Sequence, residues 1–129
     1  MNTVGSKSLR PNEYPQVVTV RGHTLAADEA ATDTAPSPHD YFDAALATCK
    51  TLTATWYAKR KGIPLERVES RVERDDSHER AGTYRLRVHV TFHGSLSDDQ
   101  RAELYRAIAA CPIHKLMTTT DVVIESVAP

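Results

Sequence analysis

The fold of this chain is decided by the stretch SPHDYFDAALATC, residues 37–49. The serine that opens it can cap a helix, because its hydroxyl accepts from the unpaired amides of a first helical turn. Pro38 then suits the first helical position. A basic run at residues 59–61 and Gly62 supply the charge and the left-handed cap that end a helix. The pattern predicts a helix over residues 38–61.

Apolar or small residues recur along this predicted helix at the spacing of one helical face. They are Phe42, Ala45, Leu46, Cys49, Leu52, Thr53 and Trp56. The segment 44–47 has little side-chain volume, so another element can pack close to it. We therefore expect a long, central, buried helix with Cys49 near its middle.

Strand patterns and a second helix surround this element. A loose arm is expected over residues 1–15, and a hairpin turn at Arg21 and Gly22. Further on, we expect strands at 68–72, 84–92 and 121–127, and a helix that begins at the capping box Ser97–Gln100 and is broken by Pro112. The order β-β-α-β-β-α-β, with helices segregated against one mostly antiparallel sheet, predicts an α+β fold.

Composition narrows the class of protein. The 129 residues fit one domain, residues 1–129, and 40% hydrophobic with 26% charged residues exclude wholesale disorder. A net charge of −1 gives no basic field for nucleic acid. The longest apolar stretch, residues 107–113, is far short of the roughly 20 residues of a membrane helix, and the first residues lack a signal-peptide pattern. We expect a cytoplasmic protein that binds neither nucleic acid nor membrane.

Two cysteines, Cys49 and Cys111, are the residues with the most distinctive chemistry. Both fall in predicted helical stripes, where a free cysteine usually behaves as a small buried hydrophobe. Neither belongs to a CxxC motif, and two are too few for a disulfide scaffold. The residues alone leave two interpretations open, inert core thiols and reactive ones.

Several segments resemble the OsmC/Ohr superfamily of osmotically inducible and organic-hydroperoxide-resistance proteins. Residues 37–49 resemble the family's S/N-P-x-x-L-x-x-A-A-x-A-x-C helix start, and residues 111–115, CPIHK, resemble its C-P-V-H-K segment. The resemblance continues through residues 57–65 and 94–100 and covers about residues 17–127. It implies an α+β fold that is completed as an intertwined homodimer.

The resemblance also implies thiol-dependent reduction of hydroperoxides, preferably organic ones. By position, Cys49 matches the family's peroxidatic cysteine and Cys111 its resolving cysteine. An external dithiol would restore the pair, and neither a cofactor nor a metal is implied. The expected place of Cys111 at the negative end of its helix agrees with these roles, because that end disfavours a thiolate.

Three further residues are candidates for supporting this chemistry. The family's peroxidases carry a glutamate ten residues before the first cysteine, where this chain has His39, about 15 Å along the helix from Cys49. Arg21, at the hairpin turn, is the best-placed candidate for the arginine that the family uses to hold the thiolate. His114 is expected either beside the thiols, as a proton donor or cation, or at the helix end facing solvent.

Two alternatives to an enzyme are compatible with the sequence. The replacement of the glutamate by His39 and the small residues near Cys49 favour a non-catalytic redox-sensing or small-molecule-binding protein on the same fold. The other alternative is a structural member of the family with inert thiols. His89 and His93, on the polar side of a predicted strand, are interpreted as a solvated face.

Overall fold

The structure, a computed structural model, describes residues 2–129, which form five strands and three α-helices. In chain order they are β1 (Val4–Ser8), β2 (Gln16–Val20), β3 (His23–Ala27), α1 (Pro38–Lys61), β4 (Leu65–Asp75), β5 (Arg85–Gly94), α2 (Asp98–Ile108) and α3 (Pro112–Thr119). A single 3-10 turn, Glu79–Ala81, lies between β4 and β5. The predicted α+β class is confirmed. Within the same residues, no helix is both long and apolar enough to cross a membrane.

The chain divides into two compact units, residues 1–43 and residues 44–129. In the first unit, the strands form an antiparallel sheet in the order β1-β2-β3. The turn between β2 and β3 contains Arg21, whose φ of 53° lies in the left-handed region. The hairpin predicted around this turn is confirmed.

The loose arm expected over residues 1–15 is wrong for residues 4–8, which form β1. All five residues of β1 are exposed, so no alternating apolar pattern marks this strand. Its backbone pairs with β2, for example Ser6 opposite Val18. The strand therefore depends on pairing with a neighbour, which the local sequence does not reveal.

In the second unit, β4 and β5 form a separate antiparallel pair, so the single sheet expected from the sequence is wrong. Val68 lies opposite Phe92, and one face of the pair contributes to an apolar core. The buried members of that core are Ala54, Ala58, Ile63, Phe92, Leu104 and Ile108. The predicted capping box of α2 is confirmed, with Ser97 Oγ accepting from the Gln100 amide at 3.1 Å.

Helix α1 has the predicted bounds but buries only one face, and not the one expected. From Leu46 onward, the buried positions follow a four-residue spacing: Leu46, Lys50, Ala54 and Ala58. Leu52 and Trp56, which belong to the predicted buried stripe, are 64% and 59% exposed in the single chain. Expecting a fully buried helix was wrong, because small alanines together with one lysine form the inward face.

The carboxyl-terminal third differs from the expected helix and strand. Pro112 does not simply break α2, which ends at Ile108, but occupies the first turn of a third helix, α3. The strand expected at 121–127 is wrong: these residues carry no helix or strand, and Val123 and Ile124 are each 83% exposed. Their β-branched side chains favour a strand, but a strand forms only where a second one pairs with it.

Gly94 should be indispensable at the end of β5. Its φ is 142°, and a Cβ there would collide with the Pro64 carbonyl and lie 3.1 Å from the Glu66 amide. Gly94→Ala should therefore lower the free energy of unfolding by at least about 2 kcal/mol in urea titrations. Gly22→Ala is the matched control, because a Cβ at Gly22 meets nothing within 4 Å. Equal stability of the two variants would contradict this account.

Candidate functional site

The sulfur of Cys49 lies at the amino end of α3. The Ile113 backbone N–H donates to Cys49 Sγ at 3.4 Å, and Thr53 Oγ1 lies 4.0 Å from the same sulfur. Ile113 is the second residue of α3, so its amide is one of those that a helix leaves without an internal partner. Cys49 is half-buried, on the turn of α1 that faces this amide. A backbone donor at a helix amino terminus is the kind of group that favours a thiolate over a thiol.

Cys111 lies in the same region of the chain as the donor amide. It is 1% exposed and caps the amino end of α3, two residues before Ile113. The Ile113 contact therefore keeps the Cys111 Cα within about 10 Å of Cys49 Sγ, by the standard dimensions of the backbone. Both cysteines are free thiols.

The electrostatic argument that made Cys111 the poorer nucleophile is wrong. That argument placed it at the negative, carboxyl end of α2, whereas it lies at the positive, amino end of α3. The two cysteines are distinguished by burial instead. Cys49 is partly exposed, and Cys111 is almost fully buried.

Lys50 is the functional candidate that sequence analysis missed. Its side chain is buried, with 4% of the residue exposed, and Nζ donates to the Ile108 carbonyl at 2.6 Å and to the Ala109 carbonyl at 3.2 Å. Its third neighbour is His114 Nδ1 at 3.0 Å. The signal was available in the four-residue spacing that puts Lys50 between Leu46 and Ala54 on one helical face.

His114 is held in a defined protonation state by this contact. An ammonium has only protons to donate, so Nδ1 accepts and the neutral ring carries its proton on Nε2. Burial, and secondarily the charge of Lys50, lower the pKa of His114 below its ordinary value. The ring is thus uncharged at neutral pH, which argues against the cation interpretation and leaves Nε2–H as a hydrogen-bond donor.

An apolar groove opens beside the Cys49 sulfur. It has a volume of about 390 Å³ and is lined by Cys49, Leu52, Thr53, Trp56 and Pro112. The Arg60 guanidinium lies over the Trp56 ring, 5.2 Å from its centre. A molecule with an apolar tail can therefore approach the sulfur along the exposed face of α1.

Arg21 and His39 belong to the first unit, and both side chains are exposed there. Their supporting roles stay predictions. On β5, His89 Nε2 lies 3.3 Å from Glu73 and His93 Nε2 lies 3.2 Å from Glu69, in an exposed row of charges as interpreted from the sequence. Across residues 2–129, no three His, Cys, Asp or Glu side chains are grouped as a metal site.

A known protein family and several solved structures resemble this chain. The family described as OsmC-like protein matches residues 31–126. No curated protein matches the chain significantly.

Solved structures share the fold at low identity. An OsmC-like protein from Mycoplasma pneumoniae is 18% identical, with a TM-score of 0.75 over 92% of this chain and 88% of that one. The organic hydroperoxide resistance protein OhrB of Bacillus subtilis is 21% identical, with a TM-score of 0.62 over 92% of this chain and 91% of that one. An organic hydroperoxide resistance protein OsmC from Legionella pneumophila is 18% identical, with a TM-score of 0.64 over 92% and 90%.

His114 should make stability depend on pH just below neutrality. Because its pKa is lowered on folding, the unfolded chain takes up a proton first as pH falls through the ordinary histidine value of 6.5. The stabilisation is complete above that value and is lost as pH falls towards the pKa of the folded state. His114→Gln keeps an acceptor for Lys50 but does not titrate, so its free energy of unfolding should fall less between neutral pH and about pH 5.5.

The measurement is urea unfolding at a series of pH values and at one chain concentration. His23→Gln, at an exposed position in β3, is the control and should retain the wild-type pH dependence. The same slope in wild type and His114→Gln would show that the ring is not held as described.

Proposed function

The chain belongs to the OsmC-like protein family, and on that premise we propose that it reduces organic hydroperoxides with Cys49 as attacking thiol and Cys111 as resolving thiol. The observation that carries the proposal is the Cys49 sulfur itself, which accepts from the Ile113 amide in the wall of an apolar groove. Two similar structures are named organic hydroperoxide resistance proteins, which supports the same substrate class.

The first step consumes the peroxide. The Cys49 thiolate attacks the distal oxygen of ROOH, the O–O bond breaks, and a sulfenic acid forms on Cys49. The departing RO⁻ takes a proton and leaves as the alcohol. The partial exposure of Cys49 supports its assignment as the attacking thiol, because the peroxide must reach the sulfur from the groove.

The second step uses the buried thiol. Cys111 attacks the Cys49 sulfenic acid, an S–S bond forms, and the hydroxyl leaves as water. The short chain distance between Cys111 and the Ile113 amide supports this step, since it keeps both sulfurs near the amino end of α3. An external dithiol then reduces the disulfide by exchange and is itself oxidised to a disulfide.

The shape of the groove supports an organic substrate over hydrogen peroxide. Leu52, Trp56 and Pro112 offer apolar surface next to the sulfur. Burying an alkyl or aryl tail there contributes about 25 cal/mol for each Å² removed from water, and hydrogen peroxide has no tail to bury.

The same exposed face supports an intertwined homodimer. Leu52 and Trp56 are large apolar residues on one side of α1, and Leu116 of α3 is also exposed. The tail at 121–127, whose valine and isoleucine side chains are exposed, pairs with no strand among residues 2–129 of its own chain. A second copy would cover both surfaces and would supply a sheet edge for the tail.

A small-molecule-binding protein with inert thiols is the second candidate function. The groove at Cys49 is the observation that favours it, since an apolar groove needs no chemistry to hold a ligand. The two functions differ in what happens to the thiols when a hydroperoxide enters.

Single substitutions of the cysteines separate the proposed steps. Cys49→Ser should abolish consumption of cumene hydroperoxide, because a serine hydroxyl supplies no nucleophile at neutral pH. Cys111→Ser should allow about one turnover per chain and then stop with Cys49 as a sulfenic acid exposed to further oxidation. Wild type should consume cumene hydroperoxide faster than hydrogen peroxide.

Continuous turnover is measured as peroxide loss in the presence of an excess of a dithiol, and the single turnover of Cys111→Ser is measured without added dithiol, because an external thiol would itself reduce the sulfenic acid. Thr48→Ser, an exposed substitution next to Cys49, is the matched control and should retain wild-type rates. Background loss of peroxide in wild type and in both cysteine variants would favour the binding protein instead.

The dimer can be tested by light scattering at micromolar concentration. Wild type should have twice the chain mass of 14.3 kDa. Leu52→Glu places a charge on the exposed apolar face and should shift the protein towards the monomer, whereas Thr55→Glu, at an exposed polar position of α1, is the control. A wild-type protein of single-chain mass would overturn the dimer.

A further inference from the structure

Two consecutive residues of α1 hold two consecutive residues of α3. Cys49 Sγ accepts from the amide of Ile113, and Lys50 Nζ lies 3.0 Å from Nδ1 of His114. Because both contacts start from one turn of α1, a shift of α3 that breaks one of them strains the other. The position of the Ile113 amide on the sulfur is therefore coupled to the ammonium of Lys50.

The Lys50 ammonium also holds the end of α2. Its bonds to the Ile108 and Ala109 carbonyls satisfy acceptors that a helix leaves unpaired at its carboxyl end. With His114, the three acceptors match the three protons of the ammonium. The negative end of the α2 dipole compensates the buried charge.

The surroundings of Lys50 are otherwise of low polarity. The cavity of about 170 Å³ along its side chain is lined by Val88 and Val90 of β5, by Tyr105 and Ile108 of α2, and by Ala109, which follows α2. The Tyr105 hydroxyl is itself occupied, donating to the Val90 carbonyl at 2.7 Å. Hydrogen bonds in such surroundings are stronger than in water, and losing the ammonium leaves buried acceptors unpaired.

We propose that Lys50 is a positioning residue: by binding the end of α2 and His114 together, it fixes the amino end of α3 so that the Ile113 amide stays on the Cys49 sulfur. The functional value of this arrangement rests on the proposed role of Cys49 as the attacking thiol. Lys50 itself does not contact the peroxide. It acts through α3, whose amide favours the thiolate.

The test measures the reactivity of Cys49 with iodoacetamide, which does not depend on peroxide chemistry. It uses the full chain with Cys111→Ala, which leaves Cys49 as the one remaining thiol and adds no hydroxyl that would compete for the Ile113 amide. Three substitutions are introduced into this parent, one at a time. K50M keeps the apolar stem without the charge, and K50R keeps the charge and its donors. The third is K59M. Lys59 is exposed in the last turn of α1 and serves as the matched control.

K50M should slow the alkylation of Cys49 at neutral pH roughly tenfold, the effect of losing one hydrogen bond to a charged group. In K50M, the alkylation rate should also begin to increase only at a higher pH than in the parent. K50R should recover most of the rate, and K59M should match the parent. If far-UV circular dichroism shows that K50M does not fold, K50Q, which keeps an amide donor without charge, replaces it and should slow alkylation in the same direction.

A purely structural role would give a different result. Looser packing around α3 would expose the sulfur and make alkylation equal or faster at every pH, and that outcome would overturn the proposal. Peroxide consumption is measured separately on chains that retain Cys111. If wild type consumes no peroxide while K50M still shifts the alkylation profile, the proposed function fails and the positioning role of Lys50 stands.

Discussion

The buried ammonium of Lys50 is the interaction on which the arrangement around both thiols depends. It joins the middle of α1 to the carboxyl end of α2 and to the first turn of α3. Removing a charge from water costs several kcal/mol, and this cost is offset only when every proton of the ion finds an acceptor. The three acceptors around Lys50 meet that condition and keep the connection between α2 and α3 close to α1.

This constraint explains how a sulfur in the middle of α1 comes to accept a hydrogen bond from the amino end of another helix. Cys49 lies far from the amino end of α1. At that distance the favourable effect of the dipole of α1 on a negative charge has faded. The favourable dipole comes instead from α3, through the Ile113 amide. Because the same turn of α1 presents Leu52 and Trp56 outward, the sulfur lies between a polar donor on one side and an apolar groove on the other.

Local signals in the sequence predicted the elements that local interactions stabilise. The bounds of α1 and the capping box at Ser97 follow from side-chain and backbone contacts within a few residues. The predictions for two segments were wrong for one reason: β1 was expected to be part of a loose arm, and residues 121–127 were expected to form a strand. A strand depends on a partner that its own sequence pattern does not identify. The burial of Lys50 was not predicted because a lysine side chain is normally solvated. Its burial depends on the acceptors at the end of α2 and in α3, which are distant in sequence.

The proposed mechanism requires Cys49 and Cys111 to react with each other after a hydroperoxide has oxidised Cys49. Its most direct test is peptide mass spectrometry under non-reducing conditions, after wild-type protein has met a single equivalent of cumene hydroperoxide. The main oxidised product should be a disulfide between the Cys49 and Cys111 peptides, with loss of two hydrogen atoms. Two free cysteines, or Cys49 carried to higher oxides while Cys111 stays unchanged, would contradict it.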